Sequence, residues 1–418
     1  MWLKKIQCYS IKLVTLKNFR QILSAQQGSF YTLSHSRFLN QVSLWNRYLP
    51  NVHPYYAVKC NPDPTLLEWL HKVGTSFDCA SKNEMVLVNK VFDSKPIQDH
   101  ILFANPCKTP NDISYAKQHN VPWVTADSVE ELEKMKEVEY KPNVLLRIAA
   151  DDETSPCQFG AKFGLHPREA HGVANAAKEL GFSVVGLSFH IGSGSTSPNA
   201  FETAIETSKA LWSSFQYFHL TNHFQVLDLG GGWSSDEAVF RTQVESVKKG
   251  FVYGPRPQRL IAEPGRFFAA PVQDLYVQVV GKKPKPGPVF CGWRYTLDES
   301  IYGQFSCIPF DHACPPMARI KLHPFQPPRV KSPATLFGRT CDSLDWIANS
   351  DSMEELEVGD WLYVPNMGAY TTSTSTEFNG FPKPVSFHTD FVPDSSDLQW
   401  LDGLKFPLAS MVSVPTGV

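Results

Sequence analysis

The sequence contains no Cys-x-x-Cys pair. Its nine cysteines, Cys8, Cys60, Cys79, Cys107, Cys157, Cys291, Cys307, Cys314 and Cys341, are scattered and odd in number. That argues against a zinc site or a secreted disulfide framework and fits reduced thiols in a cytoplasmic protein. No apolar run approaches the roughly 18 residues a membrane helix needs, so integral membrane function is excluded. Neither sign of charge dominates: 39 Lys and Arg against 41 Asp and Glu give a net charge of -2 and no basic footprint for nucleic acid. Glycine (25) and proline (32) are too few for collagen-like or low-complexity classes. No acid precedes Asp63, as in a transit peptide, but Phe30-Tyr31-Thr32-Leu33 already reads as a strand and leaves little length for one. The start Met1-Trp2-Leu3-Lys4-Lys5 lacks the apolar core and cleavage site of a secretory signal.

What is present is 418 residues, 42% hydrophobic and 19% charged, enough for two sizeable cores. Short apolar or β-branched runs alternate with helical patterns over the first two-thirds. The runs are Tyr55–Lys59, Ser76–Ala80, Ile101–Ala104, Trp123–Ala126, Val144–Ile148, Val184–Phe189, Val226–Leu229 and Leu260–Ala262. Ser128-Val129-Glu130-Glu131 reads as a capping box, and Gly181 is placed to end an Ala-rich helix over Pro167–Leu180. Strand–helix alternation repeated about eight times predicts a parallel β/α barrel, with a doubly wound sheet as the alternative. Lys59, Asp78, Asn105, Asp127, Arg147, His190, Gly230 and Glu263 fall at or just after strand ends, which a barrel gathers on one face. The barrel is expected over 30–270. Beyond it, Val272–Val280 alternates like a strand, Lys282–Pro288 reads as a linker, and long amphipathic helices are scarce. An all-β domain is expected over 271–418, joined by an N-terminal segment 1–29 through Gln7–Val14.

Several strand ends carry chemistry. Lysine is rarely buried without a partner or a task, and Lys59, directly after an apolar run, suits a Schiff base to a carbonyl. Taken alone it reads first as a snorkelling lysine. His190-Ile-Gly192-Ser193-Gly194-Ser195 and Gly230-Gly231-Gly232 let backbone approach an anion, although each alone could be a plain turn. Glu263-Pro264-Gly265-Arg266 adds a carboxylate and a guanidinium, which clamp a phosphate or pair with each other. One lysine, one carboxylate and a Gly/Ser/Arg anion cup together describe what pyridoxal phosphate requires. His190 could stack on its ring or be a satisfied structural histidine.

These motifs make the chain recognisable. It resembles the eukaryotic ornithine decarboxylase family, within the alanine-racemase-like barrel class of pyridoxal 5'-phosphate enzymes. The resemblance rests on Tyr56-Ala-Val-Lys59-Cys-Asn, Phe77-Asp78-Cys-Ala-Ser81, Arg147-Ile-Ala, Lys162-Phe-Gly164, Ser188-Phe-His190-Ile-Gly-Ser193-Gly, Gly230-Gly-Gly232 and Ala262-Glu263-Pro-Gly-Arg266. It continues through Phe310-Asp311-His312-Ala313, Cys341-Asp342-Ser-Leu-Asp345, Asn366-Met-Gly-Ala-Tyr370 and Phe378-Asn-Gly-Phe381. It implies a (β/α)8 barrel with a C-terminal β domain, and decarboxylation of L-ornithine to putrescine. Lysine or arginine decarboxylation, or an inactive antizyme-inhibitor-like homologue, are the alternatives.

By the same resemblance, Lys59 is the Schiff-base lysine, Glu263 the partner of the pyridine nitrogen and His190 the ring-stacking residue. Ser193, Gly232, Gly265, Arg266 and Tyr370 bind phosphate, with Asp78 and Arg147 a supporting polar pair. Cys341 is the proton donor, and Asp311, Asp342 and Phe378 face the substrate. The resemblance further implies a homodimer with shared sites, Lys162 and Asp345 bridging it, and an antizyme-like regulator; it implies no metal. Read from the residues alone, Asp311 and Asp342 could be turn residues and Cys341 a core cysteine. Ser343, Pro309, Pro315-Pro316 and the hydroxyl-rich Thr371–Thr376 depart from the family's pattern.

Overall fold

The computed structural model describes residues 23, 25–92, 100–150, 154–156, 162–221, 223–321, 326 and 329–407. The expected joining segment Gln7–Val14 lies outside them. The chain divides into two compact units, Gln41–Phe268, and Met1–Asn40 with Ala269–Val418.

Counting from β1 (Phe30–Leu33), the first unit holds β2 (Val52–Ala57), β3 (Ser76–Cys79), β4 (Ile101–Phe103), β5 (Trp123–Ala126), β6 (Asn143–Arg147), β7 (Ser183–Ser188), β8 (Val226–Asp228) and β9 (Arg259–Ala262). All eight are parallel and close into a barrel, with β2 pairing β9 through Val52 and Leu260. That closure decides against the doubly wound alternative. Tyr55, Leu102, Leu145, Val226 and Ile261 pack together as a barrel core. Gly186 on β7 faces the Val226 carbonyl so closely that a Cβ would collide with it, next to a register shift in the β6–β7 pairing.

The helices are α1 (His35–Tyr48), α2 (Pro64–Lys72), α3 (Lys82–Val91), α4 (Pro110–Gln118), α5 (Val129–Glu137), α6 (Pro167–Glu179), α7 (Ala200–Tyr217) and α8 (Glu237–Gly250). Their starts are written in the sequence. Asp63 caps α2 by accepting from the Thr65 and Leu66 N–H groups, with Pro64 in the first turn. A full capping box forms at His166 and Glu169. At α5 only half of the expected box is made. Ser128 accepts from the Glu131 N–H, but the Glu131 carboxylate instead takes the backbone N–H and the ammonium of Lys108. Lys108 is buried, and burial pushes its ammonium down to about 8. A buried charge claims its partner ahead of an exposed helix end. Gly181 follows α6 with φ +79°, the left-handed conformation expected of it.

The second unit is a nine-stranded sheet of β1, β10 (Gln273–Pro284), β11 (Trp293–Leu297), β12 (Ala318–Ile320), β13 (Lys331–Phe337), β14 (Trp346–Glu354), β15 (Trp361–Val364), β16 (Val385–His388) and β17 (Leu398–Trp400). Strand alternation gives it two packed faces. Leu275, Val277 and Val279 of β10 enter one core, and Tyr276 enters the other with Phe30 and Trp361.

Two expectations change here. Phe30–Leu33, placed at the front of the barrel, pairs antiparallel with β10 and parallel with β16. A four-residue buried strand carries no signal for which sheet it joins. The presumed linker is strand as far as Pro284, because Lys282, Lys283 and Pro284 pair with Tyr295, Arg294 and Trp293. Lys282 lays its ammonium 4.1 Å from the Trp293 ring centroid, so an aromatic partner accommodates a lysine the sequence alone makes linker-like.

Candidate active site

The C-terminal ends of the barrel strands gather the charged residues. After β2 a short 3-10 turn, Val58–Cys60, presents Lys59. Its ammonium lies 3.2 Å from the carboxylate of Asp78 on β3. Asp78 is 1% exposed, and its second oxygen, Oδ1, has no hydrogen-bond partner. From β8, Asp228 is fully buried; its Oδ1 accepts from the Gly230 N–H at 2.8 Å, while its Oδ2 is unpartnered. Glu263 follows β9. Burial first, then the charges of Asp228 and Asp78, hold its carboxyl well above the usual carboxylate range, while Lys59 and Arg147 pull the other way. Asp228 is likewise raised, chiefly by burial. Three acids converge on one barrel end, an arrangement that favours a bound cation or a retained proton.

His190, just past β7, accepts the Gly192 N–H on Nδ1 at 2.9 Å, which places the ring proton on Nε2. Burial, then Arg147 and Lys59, push its pKa well down, so the ring is neutral. Arg147 itself stacks over Phe163 at 5.1 Å.

The glycine loops are close-built. Gly232, at φ +100°, puts a hypothetical Cβ 2.6 Å from the Gly192 carbonyl oxygen, and one on Gly231 would stand 2.5 Å from His190 Nε2. A Cβ on Gly265 would stand 2.8 Å from that of Cys60. Arg266 donates to the Ser193 hydroxyl at 3.1 Å. A cavity of about 440 Å³ opens here, bounded by Gly194, Ser195, Gly232 and Arg266. The barrel unit thus brings together Lys59, Asp78, Arg147, His190, Ser193, Gly232, Glu263, Gly265 and Arg266. Lys162 lies over the Phe163 ring at 4.8 Å.

The remaining expected residues belong to the second unit. Cys341 is exposed, its N–H donating to Asn379 Oδ1 at 2.9 Å. Asp342 accepts from the Leu344 N–H and from the Tyr302 hydroxyl, which together hold its carboxyl below the usual range. The Tyr302 ring lies 4.7 Å from that of Phe378. Cys341, Asp342 and Phe378 are therefore one cluster. Asp311 ends a short helix, Cys307–Asp311, and His312 beyond it is left-handed at φ 54°. Tyr370 is also left-handed, at φ 54°. Asp345 is 1% exposed and accepts from the Ile301 N–H and from both the N–H and hydroxyl of Thr340, so it fixes its own loop.

Sequence reading passed over three residues. Asp228 stands inside an apolar run, and a carboxylate there is the signal. Glu84 stands in the first turn of α3; burial pushes it up to about 7, opposed by the Ala80 N–H that it accepts. Tyr302, which holds Asp342, carried no signal.

Residues 35–270 match the family model of the pyridoxal binding domain of pyridoxal-dependent decarboxylases, and the chain belongs to that family. Pyridoxal 5'-phosphate is its cofactor. More narrowly, the chain is similar to proteins named ornithine decarboxylase. It is 36% identical over 386 residues to that of Caenorhabditis elegans, covering 88% of each chain. It is 35% identical over 382 residues to the probable ornithine decarboxylase of Dictyostelium discoideum, covering 88% of this chain and 81% of the other. Among solved structures it is similar to the arginine decarboxylase of Paramecium bursaria Chlorella virus bound to agmatine. That match has a TM-score of 0.81 and 34% identity, covering 89% of this chain and 99% of the other.

Proposed function

We propose that the chain decarboxylates L-ornithine to putrescine and carbon dioxide, the entry step of polyamine synthesis. The observation that carries this reading is the convergence of Lys59, Glu263 and a Gly/Ser/Arg cradle at one barrel end. The residues fit the cofactor: the crowded glycines leave room only for backbone, Arg266 faces that space, and Glu263 sits among acids that want a cation. When bound, the cofactor supplies a ring that accepts the electrons left when carbon dioxide departs. Glu263 would keep a proton on the ring nitrogen, and His190, with its neutral ring, would be the residue that stacks on the cofactor. Ser193, Gly232, Gly265, Arg266 and Tyr370 would hold the phosphate, with Asp78 and Arg147 a supporting polar pair near the cofactor. Lys59 would hold the cofactor as the Schiff-base lysine and move protons at its amine. Cys341 Sγ donates a proton to the substrate α-carbon after decarboxylation, while Asp311, Asp342 and Phe378 receive the distal ammonium and its methylene arm.

The proposal includes a homodimer in which Cys341 and Asp342 serve the partner's barrel, with Lys162 and Asp345 near the junction, and an antizyme-like regulator. Exposure of Cys341, of Leu344 at 69% and of Phe310 at 67% supports a further surface covering that loop cluster. No helix among the described residues is long and apolar enough to cross a membrane. The described cysteines, Cys60, Cys79, Cys107, Cys291, Cys307, Cys314 and Cys341, are free thiols, which supports a cytoplasmic location.

The test is product identification with holoenzyme and ornithine, lysine and arginine. The expected order of kcat/KM is ornithine, lysine, arginine. One methylene changes binding by only ~1–3 kcal/mol, so weak lysine turnover is expected. Arginine's planar guanidinium needs a longer pocket with bidentate partners. Preference for lysine or arginine, or absence of turnover, overturns the reading.

A further inference from the structure

A second cavity of the barrel unit lies at the opposite end of the strands from the residues above. It measures about 870 Å³ and opens where β2 and β9 begin, beside α1 and α8. The N-terminal face of a β/α barrel ordinarily serves stability, so a cavity of ligand size there calls for an occupant. Its lining includes Lys248, Arg256, Arg259 and His53, and no carboxylate. In a chain whose acids slightly outnumber its bases, that segregation is not a consequence of composition.

The cationic groups differ in how they are engaged. Lys248 pairs with Glu245 at 2.7 Å on the outer helix. Arg256 spends one nitrogen on the Phe251 carbonyl, at 2.8 Å. Arg259 lies over Trp123 at 5.2 Å and Tyr55 at 5.8 Å. Among the described residues neither arginine has an ion-pair partner, so two guanidinium charges meet the cavity uncompensated. His53 also lines the cavity; burial, then the charges of Arg259 and His100, push its imidazole down to about 4. Its Nε2 lies 2.9 Å from the Ser76 hydroxyl. Arginines already oriented by aromatic faces and carbonyls lose little freedom on binding and offer forked donors to phosphate or carboxylate.

We propose that this cavity is a second binding site, for a small multiply charged anion bearing phosphate or carboxylate groups, separate from the cofactor cradle. Arg256 and Arg259 would grip the anion, with Lys248 at the mouth.

Calorimetric titration of the pyridoxal-phosphate-loaded enzyme with inorganic pyrophosphate and with citrate tests this. At least one should bind with about one equivalent per chain. Arg256→Gln and Arg259→Gln should each weaken it at least tenfold while leaving decarboxylation unchanged. Stronger binding of pyrophosphate assigns the site to phosphate esters, and of citrate to polycarboxylates. Arg256→Lys provides a variant that keeps charge but loses the fork, and should weaken binding less than Arg256→Gln. Three results overturn the proposal: no binding of either probe at millimolar concentration, binding indifferent to the arginine variants, or binding seen only with cofactor-free enzyme, which would place the anion in the cofactor cradle.

Discussion

Lys59, Asp78, His190 and Glu263 are held by barrel strands and by one another, whereas Cys341, Asp342 and Phe378 stand on loops of the β unit. In the barrel, Asp78 is 1% exposed and Asp228 fully buried. Glycines at contact distance leave the backbone a single path. In the β unit the thiol is exposed and Asp342 depends on a backbone N–H and one tyrosine hydroxyl. Groups that manage charge on a fixed cofactor need rigid positions before the substrate arrives. The groups proposed to meet the substrate are ordered locally and left open, as expected if another surface completes them.

The sharpest way to break that comparison is at the lysine. Lys59→Ala should cost at least ~10³-fold in rate, because a covalent step and its proton transfers vanish together. Borohydride reduction of the holoenzyme with peptide mapping should place the cofactor on Lys59; label on another lysine ends the assignment.

Complementation tests the open half. Mixing inactive Lys59→Ala and Cys341→Ala chains should restore about a quarter of wild-type activity, since about half the dimers are mixed and each holds one intact site under two-fold symmetry. No recovery, with subunit exchange demonstrated separately, would put both residues in one chain's site.

The same contrast governs how much was legible in the sequence. All eight barrel strands were readable, because parallel strands buried on both faces appear as apolar runs ended by polar residues. The cradle was readable because Gly, Ser and Arg have few other reasons to cluster at strand ends. Asp228 was missed because it closes a strand whose other residues are apolar. In the β unit, local patterns left Asp342 and Cys341 open to blander readings, and only motif resemblance singled them out. The β1 pairing escaped because strand partners far apart in sequence leave no local mark. Lys282–Pro284 escaped because pairing with Trp293, Arg294 and Tyr295, not local propensity, makes them strand.

On the substrate side, Asp342→Ala should raise KM for ornithine by about tenfold or more, since an ammonium would lose a charged acceptor. Tyr302→Phe should raise it less, roughly severalfold, by freeing the carboxylate without removing it. Steady-state kinetics on both variants decides. If Tyr302→Phe is the more damaging, the tyrosine rather than Asp342 meets the substrate.

The smallest effect concerns stability of the cofactor-free barrel. Burial, then the Asp78 charge, raises Glu84 to about 7, despite the Ala80 N–H and Lys59. A carboxyl raised on folding binds more protons in the native state than in the unfolded chain. Its contribution is therefore fully present below its ordinary pKa, is lost as pH rises toward 7, and stays lost above that. Glu84→Gln keeps an acceptor for the Ala80 N–H and removes the ionisation. Relative to wild type, the variant should gain about 1–3 kcal/mol between pH 4.5 and 8, with Glu84's partial exposure favouring the lower figure. Urea melts of both proteins across that range measure it. A difference that stays flat with pH would mean that Glu84 titrates alike in the folded and unfolded chain, the Ala80 N–H and Lys59 offsetting its burial.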